Sequence, residues 1–175
     1  MKTRVISVAI LLPIVIVIIL IGQWPYALLV SVLALLAAIE YAQMLRRKAY
    51  MLALPCIFAF ILLWIADALW GDGRWLGPGL AGLTLITAGW ILYRRHRHPT
   101  VADPTAEWAL TLAGGMYLGI GGAYLWHMRA RPDGLWWTFT ALPIVWISES
   151  MAYFVGRKWG RHKMSPTISP GKSWE

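Results

Sequence analysis

Apolar residues fall along this chain in six long runs, near 5–22, 25–45, 50–70, 75–93, 108–128 and 135–156, separated by polar connections. Each run is close to twenty residues, and a helix rising ~1.5 Å per residue over that length crosses a hydrocarbon core of ~30 Å. Three connections carry turn chemistry and fall on one side: Gly22 to Pro25, Gly71-Asp72-Gly73, and Arg131-Pro132-Asp133-Gly134. The stretch from Arg94 to Glu107, with Pro99, Asp103 and Pro104, is the one long internal loop, expected to be exposed and mobile. The pattern predicts an all-α integral membrane protein. Residues 1–156 form a polytopic bundle of about six transmembrane helices, and 157–175 a basic cytoplasmic loop. The run from Val5 to Ile21 follows Lys2 and Arg4 as a secretory signal would, but no small-x-small cleavage site comes after it. It reads as a retained helix.

Composition supports the bilayer as solvent. Apolar residues make up 59% of the chain and charged residues 14%, whereas an ordinary soluble domain is near half apolar and a quarter charged. A single soluble core of 175 residues could not absorb runs of this length. The net charge of +8 would raise nucleic acid as a partner in a soluble protein. Here the cations sit between apolar runs, which argues against nucleic acid and for attraction to the headgroups of anionic membrane lipids. With the N-terminus inside, the inner side holds Lys2 and Arg4, Arg46 to Lys48, Arg94, Arg95 and Arg97, and the five cations from Arg157 onward. The outer side holds only Arg74, Arg129 and Arg131. The positive-inside rule therefore predicts a cytoplasmic N-terminus. Trp24, Trp70, Trp75 and Trp136 mark the outer helix ends, where amphipathic rings anchor. Cys56, the single cysteine, lies in an apolar run and reads as inert packing.

Three acids stand within or at the ends of the runs, and an ionisable group at mid-helix costs on the order of 2.5–3.5 kcal/mol on insertion scales. Asp67 lies within a turn of the outer end, where headgroups are expected to solvate it. Glu40 can pair with Arg46 or Arg47, accept hydrogen bonds from a neighbouring helix, or line a polar cavity. Glu149 gives the sharpest signal: Ser148 and Ser150 flank it, and Tyr153 follows one turn below on the same face. Such a stripe marks either a helix–helix hydrogen-bond cluster or a substrate, ion or metal site. Below it, four of the eight residues 156–163 are Lys or Arg, and 165–175 set lysine and hydroxyl groups among Gly and Pro, a composition that suits phosphate. Carboxylates nearby can hold a divalent cation that bridges phosphates. Gly171-Lys172-Ser173 imitates the end of a Walker A loop, but Pro166 stands where that loop requires glycine.

These residues resemble the phosphatidate cytidylyltransferases, or CDP-diacylglycerol synthases, from end to end of the chain. The match begins at Arg4 and Pro13, includes Glu40-Tyr41 and Gly115-Met116-Tyr117-Leu118-Gly119, and is densest in WISESMAYFVGRKWGRHKMSPTISPGKSWE. The family carries W-x-x-D-x-x-A-Y-F-x-G-R-x-x-G followed by S-P-K-K-T-W-E-G. Glu149 stands in place of the usual Asp, Met151 in place of Gly, and Gly171 in place of a lysine. The resemblance implies Mg²⁺-dependent transfer of a cytidylyl group from CTP to phosphatidic acid, giving CDP-diacylglycerol and pyrophosphate. The setting would be a multi-pass protein of a bacterial-type inner membrane, with the site near the cytoplasmic face. It implies Glu149 and Lys172 as catalytic residues and Glu149 as the metal ligand. Tyr153, Arg157, Lys163, Ser169, Ser173 and Glu175 would then bind substrate. The family runs on past this loop into helices bearing its most diagnostic signature, so the stretch is expected to be the amino-terminal portion of a longer chain. The alternatives are a CTP-dependent lipid or polyprenol kinase and a non-catalytic membrane protein of the same fold. Oligomeric state stays open, a homodimer among the choices.

Overall fold

The computed structural model describes residues 2–97, 103–165 and 169–174. Among them are α1 (Lys2–Ile21), α2 (Gln23–Arg46), α3 (Leu54–Ala66), which runs on as a π-helical turn over Asp67–Gly71, α4 (Leu76–Arg97), α5 (Pro104–Ala130) and α6 (Gly134–Trp159). Two short strands follow, β1 (Lys163–Ser165) and β2 (Ser169–Ser173). Six runs thus become six helices, in an all-α polytopic membrane protein that ends, within the described residues, on a hairpin. Four helical stretches are long and apolar enough to cross a membrane: Gln23–Arg46, Leu54–Gly71, Leu76–Arg97 and Gly134–Trp159. The apolar part of α1, Leu11–Ile21, is shorter. The chain divides into two compact units, Met1–Pro132 and Asp133–Glu175.

In the first unit α5 packs most extensively on α3, and also on α2. Its 27 residues span ~40 Å as a helix, but five of them are glycine. These small residues let neighbouring helices approach closely. Gly115 faces Phe60, Gly119 faces the Trp64 ring, Gly114 faces Tyr41, and Gly122 lies against Ile65 and Val30. A methyl group at Gly115 would stand 2.7 Å from the Phe60 Cβ, so alanine does not fit without displacement. The buried core on the facing helices is Ala34, Ala38, Ile57, Ile61 and Ile65, with Phe60 wholly enclosed. Buried threonines avoid unpaired hydroxyls by bonding back one turn: Thr87 donates to the Leu83 carbonyl and Thr111 to that of Glu107, both at 2.7 Å.

At one end of this unit, Gly22 breaks the chain with φ 68°. The Arg129 Nε donates to the Ile19 carbonyl at 2.8 Å and Nη2 to that of Leu20 at 3.2 Å. A cation so placed satisfies carbonyls that the end of α1 leaves unpaired. The Trp24 and Trp70 rings meet at the same end, with centroids 5.2 Å apart. The turn at Gly22, the turn at Gly71 and the last turn of α5 therefore do share a side.

Two expectations are corrected, and one of the three readings of Glu40 is removed. Asp67 is not held by headgroups: it is 4% exposed and accepts the N–H groups of Gly73 and Trp75, each at 2.9 Å, so the acid folds the turn that follows α3. Among the described residues, both ends of the stretch from Arg94 to Glu107 are helix, because α4 continues to Arg97 and α5 begins at Pro104 with Asp103 as its cap. The Asp103 carboxylate accepts from the N–H groups of Thr105 and Ala106, both at 3.0 Å, and Pro104 occupies the first helical position, where a missing N–H costs nothing. Glu107, far from lying in an exposed loop, is 2% exposed, ion-paired to Arg94 and bonded by the Met51 N–H. Residues 98–102 of that stretch lie outside the described residues. Glu40 is exposed and, among the described residues, pairs with neither Arg46 nor Arg47.

Candidate functional site

The second unit is α6 and the hairpin. Helix α6 is exposed from Ile144 through Phe154, including Trp146, Ile147, Met151 and Tyr153. A helix that is apolar around its circumference suits lipid or a protein neighbour rather than water. Glu149 interrupts this stretch between Ser148 and Ser150; it is exposed, with no hydrogen bond or ion pair among the described residues.

One turn below, the Tyr153 hydroxyl accepts a hydrogen bond from Arg157 Nη1 at 2.9 Å, a pairing of residues i and i+4 that holds the guanidinium along the helix. Arg157 and Lys158 fill the last turn, where cations interact favourably with the helix dipole, and Lys158 lies over the Trp159 ring, 4.8 Å from its centroid. Gly160 ends the helix, its N–H still bonded to the Gly156 carbonyl at 3.1 Å.

The tail read as a cytoplasmic loop turns back on itself as antiparallel strands. Lys163 pairs with Ser173 and Ser165 with Ser169, and the Trp174 N–H donates to the His162 carbonyl at 3.0 Å. Between these pairs β1 advances two residues and β2 four, so the ladder is irregular around Pro170 and Gly171. Proline has no N–H to give a ladder, and an irregularity of this kind re-aims the neighbouring side chains. Lys163 and Lys172 are exposed, Ser165, Ser169 and Ser173 partly buried. The Ser173 hydroxyl is itself buried, against the end of α6, and has no hydrogen-bond partner among the described residues. Strand β2 therefore docks on α6 through Ser173 while its neighbour Lys172 faces out, as the alternation of a strand requires.

The hairpin thus brings Lys163, Lys172 and Ser173 together at the foot of α6, with Ser169 further along β2. Glu149, Tyr153 and Arg157 line the helix leading to it. Glu175 lies outside the described residues. Among the described residues no three His, Cys, Asp or Glu side chains gather as a metal-binding group. A groove of about 410 Å³ in the first unit, lined by Val30, Leu33, Tyr117, Leu118, Gly121, Leu125 and their neighbours, is almost wholly apolar and offers nothing to a phosphate. Gly156 and Gly160, matched in sequence as the two glycines of G-R-x-x-G but given no role there, both lie against Ser173.

Comparison with known proteins bears on the whole chain. A phosphatidate cytidylyltransferase of Staphylococcus haemolyticus is 30% identical over 179 residues, a span covering all of this chain and 65% of that protein. A phosphatidate cytidylyltransferase of Staphylococcus aureus is 27% identical, and one of Bacillus subtilis 25%, with the same coverage. The chain spans 65% of the length of the curated relatives it matches. No solved structure matches it. The family model for the cytidylyltransferases matches residues 2–175, through all six helices and the cationic hairpin, and the chain belongs to that cytidylyltransferase family.

Proposed function

We propose that the protein is a CTP:phosphatidate cytidylyltransferase, with its reactive end at the foot of α6 on the cytoplasmic face of a bacterial inner membrane and its N-terminus on that same face. The observation that carries this reading is the continuous similarity to phosphatidate cytidylyltransferases over the full chain, including the cationic hairpin. In the reaction a phosphate oxygen of phosphatidic acid attacks the α-phosphorus of CTP. The bond from that phosphorus to the bridging oxygen breaks, and pyrophosphate leaves. Two polyanions must meet, so positioning and charge neutralisation supply most of the catalysis. Lys172 and Lys163 are exposed cations free of ion pairs among the described residues and are available to phosphate. Arg157, braced by Tyr153, adds a donor with fixed direction. Ser169 stands at the start of the same strand, and Glu175 is proposed to act with them.

Magnesium is usually held by one or two carboxylates together with substrate phosphates, and Glu149, a single carboxylate without a partner, fits that donor set. The ion would supply charge neutralisation across the phosphates. The lipid substrate reaches this helix through the bilayer and CTP from water, so a site at the interface is accessible to both.

Membranes carrying the protein, given CTP, Mg²⁺ and phosphatidic acid, are expected to release pyrophosphate and accumulate CDP-diacylglycerol. Release of CDP with phosphorylation of a lipid or polyprenol alcohol would replace this reading with that of a kinase. Turnover of neither kind would leave a membrane protein without this chemistry.

A further inference from the structure

We propose that Gly156 and Gly160 form a notch in the end of α6 that seats Ser173, and that these three residues position Lys163 and Lys172 rather than touch the nucleotide. The inference rests on the transferase reading and deepens it: it separates the residues that hold the hairpin from those that meet phosphate. A methyl group built on Gly156 would stand 3.1 Å from Ser173 Oγ; one on Gly160 would meet first the Gly156 carbonyl oxygen of its own helix and then Ser173, 2.5 Å from Oγ and 2.9 Å from Cβ. Gly160 is closed to a side chain by its own helix as well as by Ser173, whereas a side chain at Gly156 requires the serine to give by a few tenths of an ångström. The two glycines lie one turn apart on one face, a spacing that opens a small concavity on a helix.

The hydroxyl in this notch has no partner among the described residues, and leaving a buried hydroxyl unpaired costs about 1–3 kcal/mol. Hydrogen bonding does not explain its position. Shape does, since serine is small enough to enter and its neighbour on the strand is turned outward. Lys172 is covalently next to Ser173, and Lys163 is its cross-strand partner, so seating one residue fixes two cations. With its oxygen against the helix, Ser173 has no free face to offer a phosphate.

The geometry is read directly by cross-linking in membranes, in a Cys56→Ala background that removes the native thiol. The pair Gly156→Cys with Ser173→Cys is expected to form a disulfide on mild oxidation about tenfold faster than Gly156→Cys with Lys172→Cys, whose side chain faces away. Equal rates, or faster closure of the second pair, would overturn the notch. A second arm reads positioning through catalysis. Gly156→Ala, which displaces the serine by a few tenths of an ångström, is expected to raise the KM for CTP about fivefold, with unchanged abundance and thermal midpoint. Adding Ser173→Ala, which removes the atom the new methyl would meet, should bring KM back to within about twofold. If Ser173→Ala instead deepens the defect, the hydroxyl meets the nucleotide and the positioning role is wrong. A parent protein that transfers no cytidylyl group would end the transferase reading, while the cross-link would still decide the notch.

Discussion

Two glutamates on helices of this protein are placed in opposite ways. Glu107, in the first turn of α5, is enclosed: one oxygen takes the Met51 N–H, the other the Arg94 guanidinium, and three segments distant in sequence are tied at one point. Glu149, in the middle of α6, is exposed among apolar side chains with nothing to neutralise it among the described residues. A carboxylate with its bonds filled is part of the framework. One left without a partner on an apolar helix costs insertion energy that a bound ligand or ion can offset. The contrast says which acid should govern rate and which should govern stability.

The largest test is Glu149→Gln, which keeps shape and removes charge. It is expected to lower the rate of pyrophosphate release about 10³-fold, the scale for losing a key electrostatic group, with an unchanged unfolding midpoint in detergent. A variant as active as the parent would remove Glu149 from the site. Glu107→Ala should do the reverse. Breaking a buried pair from one side costs about 3–5 kcal/mol, so the thermal midpoint falls, while the rate per folded molecule holds within about twofold. Should that rate collapse as well, the two ends of the comparison merge. Gly115→Val in α5 is expected to cost about 1–3 kcal/mol by overpacking against Phe60, measured by the same unfolding assay. The smallest effect belongs to the aromatic pair beside the Gly22 turn: a double-mutant cycle of Trp24→Ala and Trp70→Ala should give about 0.5–1.5 kcal/mol of coupling, and zero coupling would mean the rings only share a surface.

Helix number was legible in the sequence because a membrane span needs a long apolar run and little else. Helix ends were less so. Arg94, Arg95 and Arg97 look like a loop by charge, yet long cationic side chains extend past the helix they belong to, and α4 continues through them. The Asp103-Pro104 pair was a readable start signal for α5, and taking it as loop chemistry hid Glu107 inside the connection. Its partners were beyond local reasoning, since Met51 lies 56 residues away. The same holds for Asp67, whose bonds go to a turn six and eight residues on. At the foot of α6 the sequence showed the stripe below Trp146 and the cationic tail as composition. Strand pairing was not legible, because Gly and Pro disfavour strands and local propensity argues for a loop. Only the docking of Ser173 onto the helix end makes the hairpin sensible.

The glycine spine of α5 has a consequence for how the protein is made. Each glycine that lets α3 come close also withholds hydrocarbon from α5, which is not among the four helical stretches long and apolar enough to cross a membrane. Presented alone to an insertion machinery, such a segment should enter lipid poorly, and adding the stretch from α2 through α4 ahead of it should raise its insertion several-fold. Helices synthesised first would then serve as the receptor for one synthesised later, and a defect in Phe60 or Trp64 would surface as failed biogenesis before it surfaced as failed chemistry.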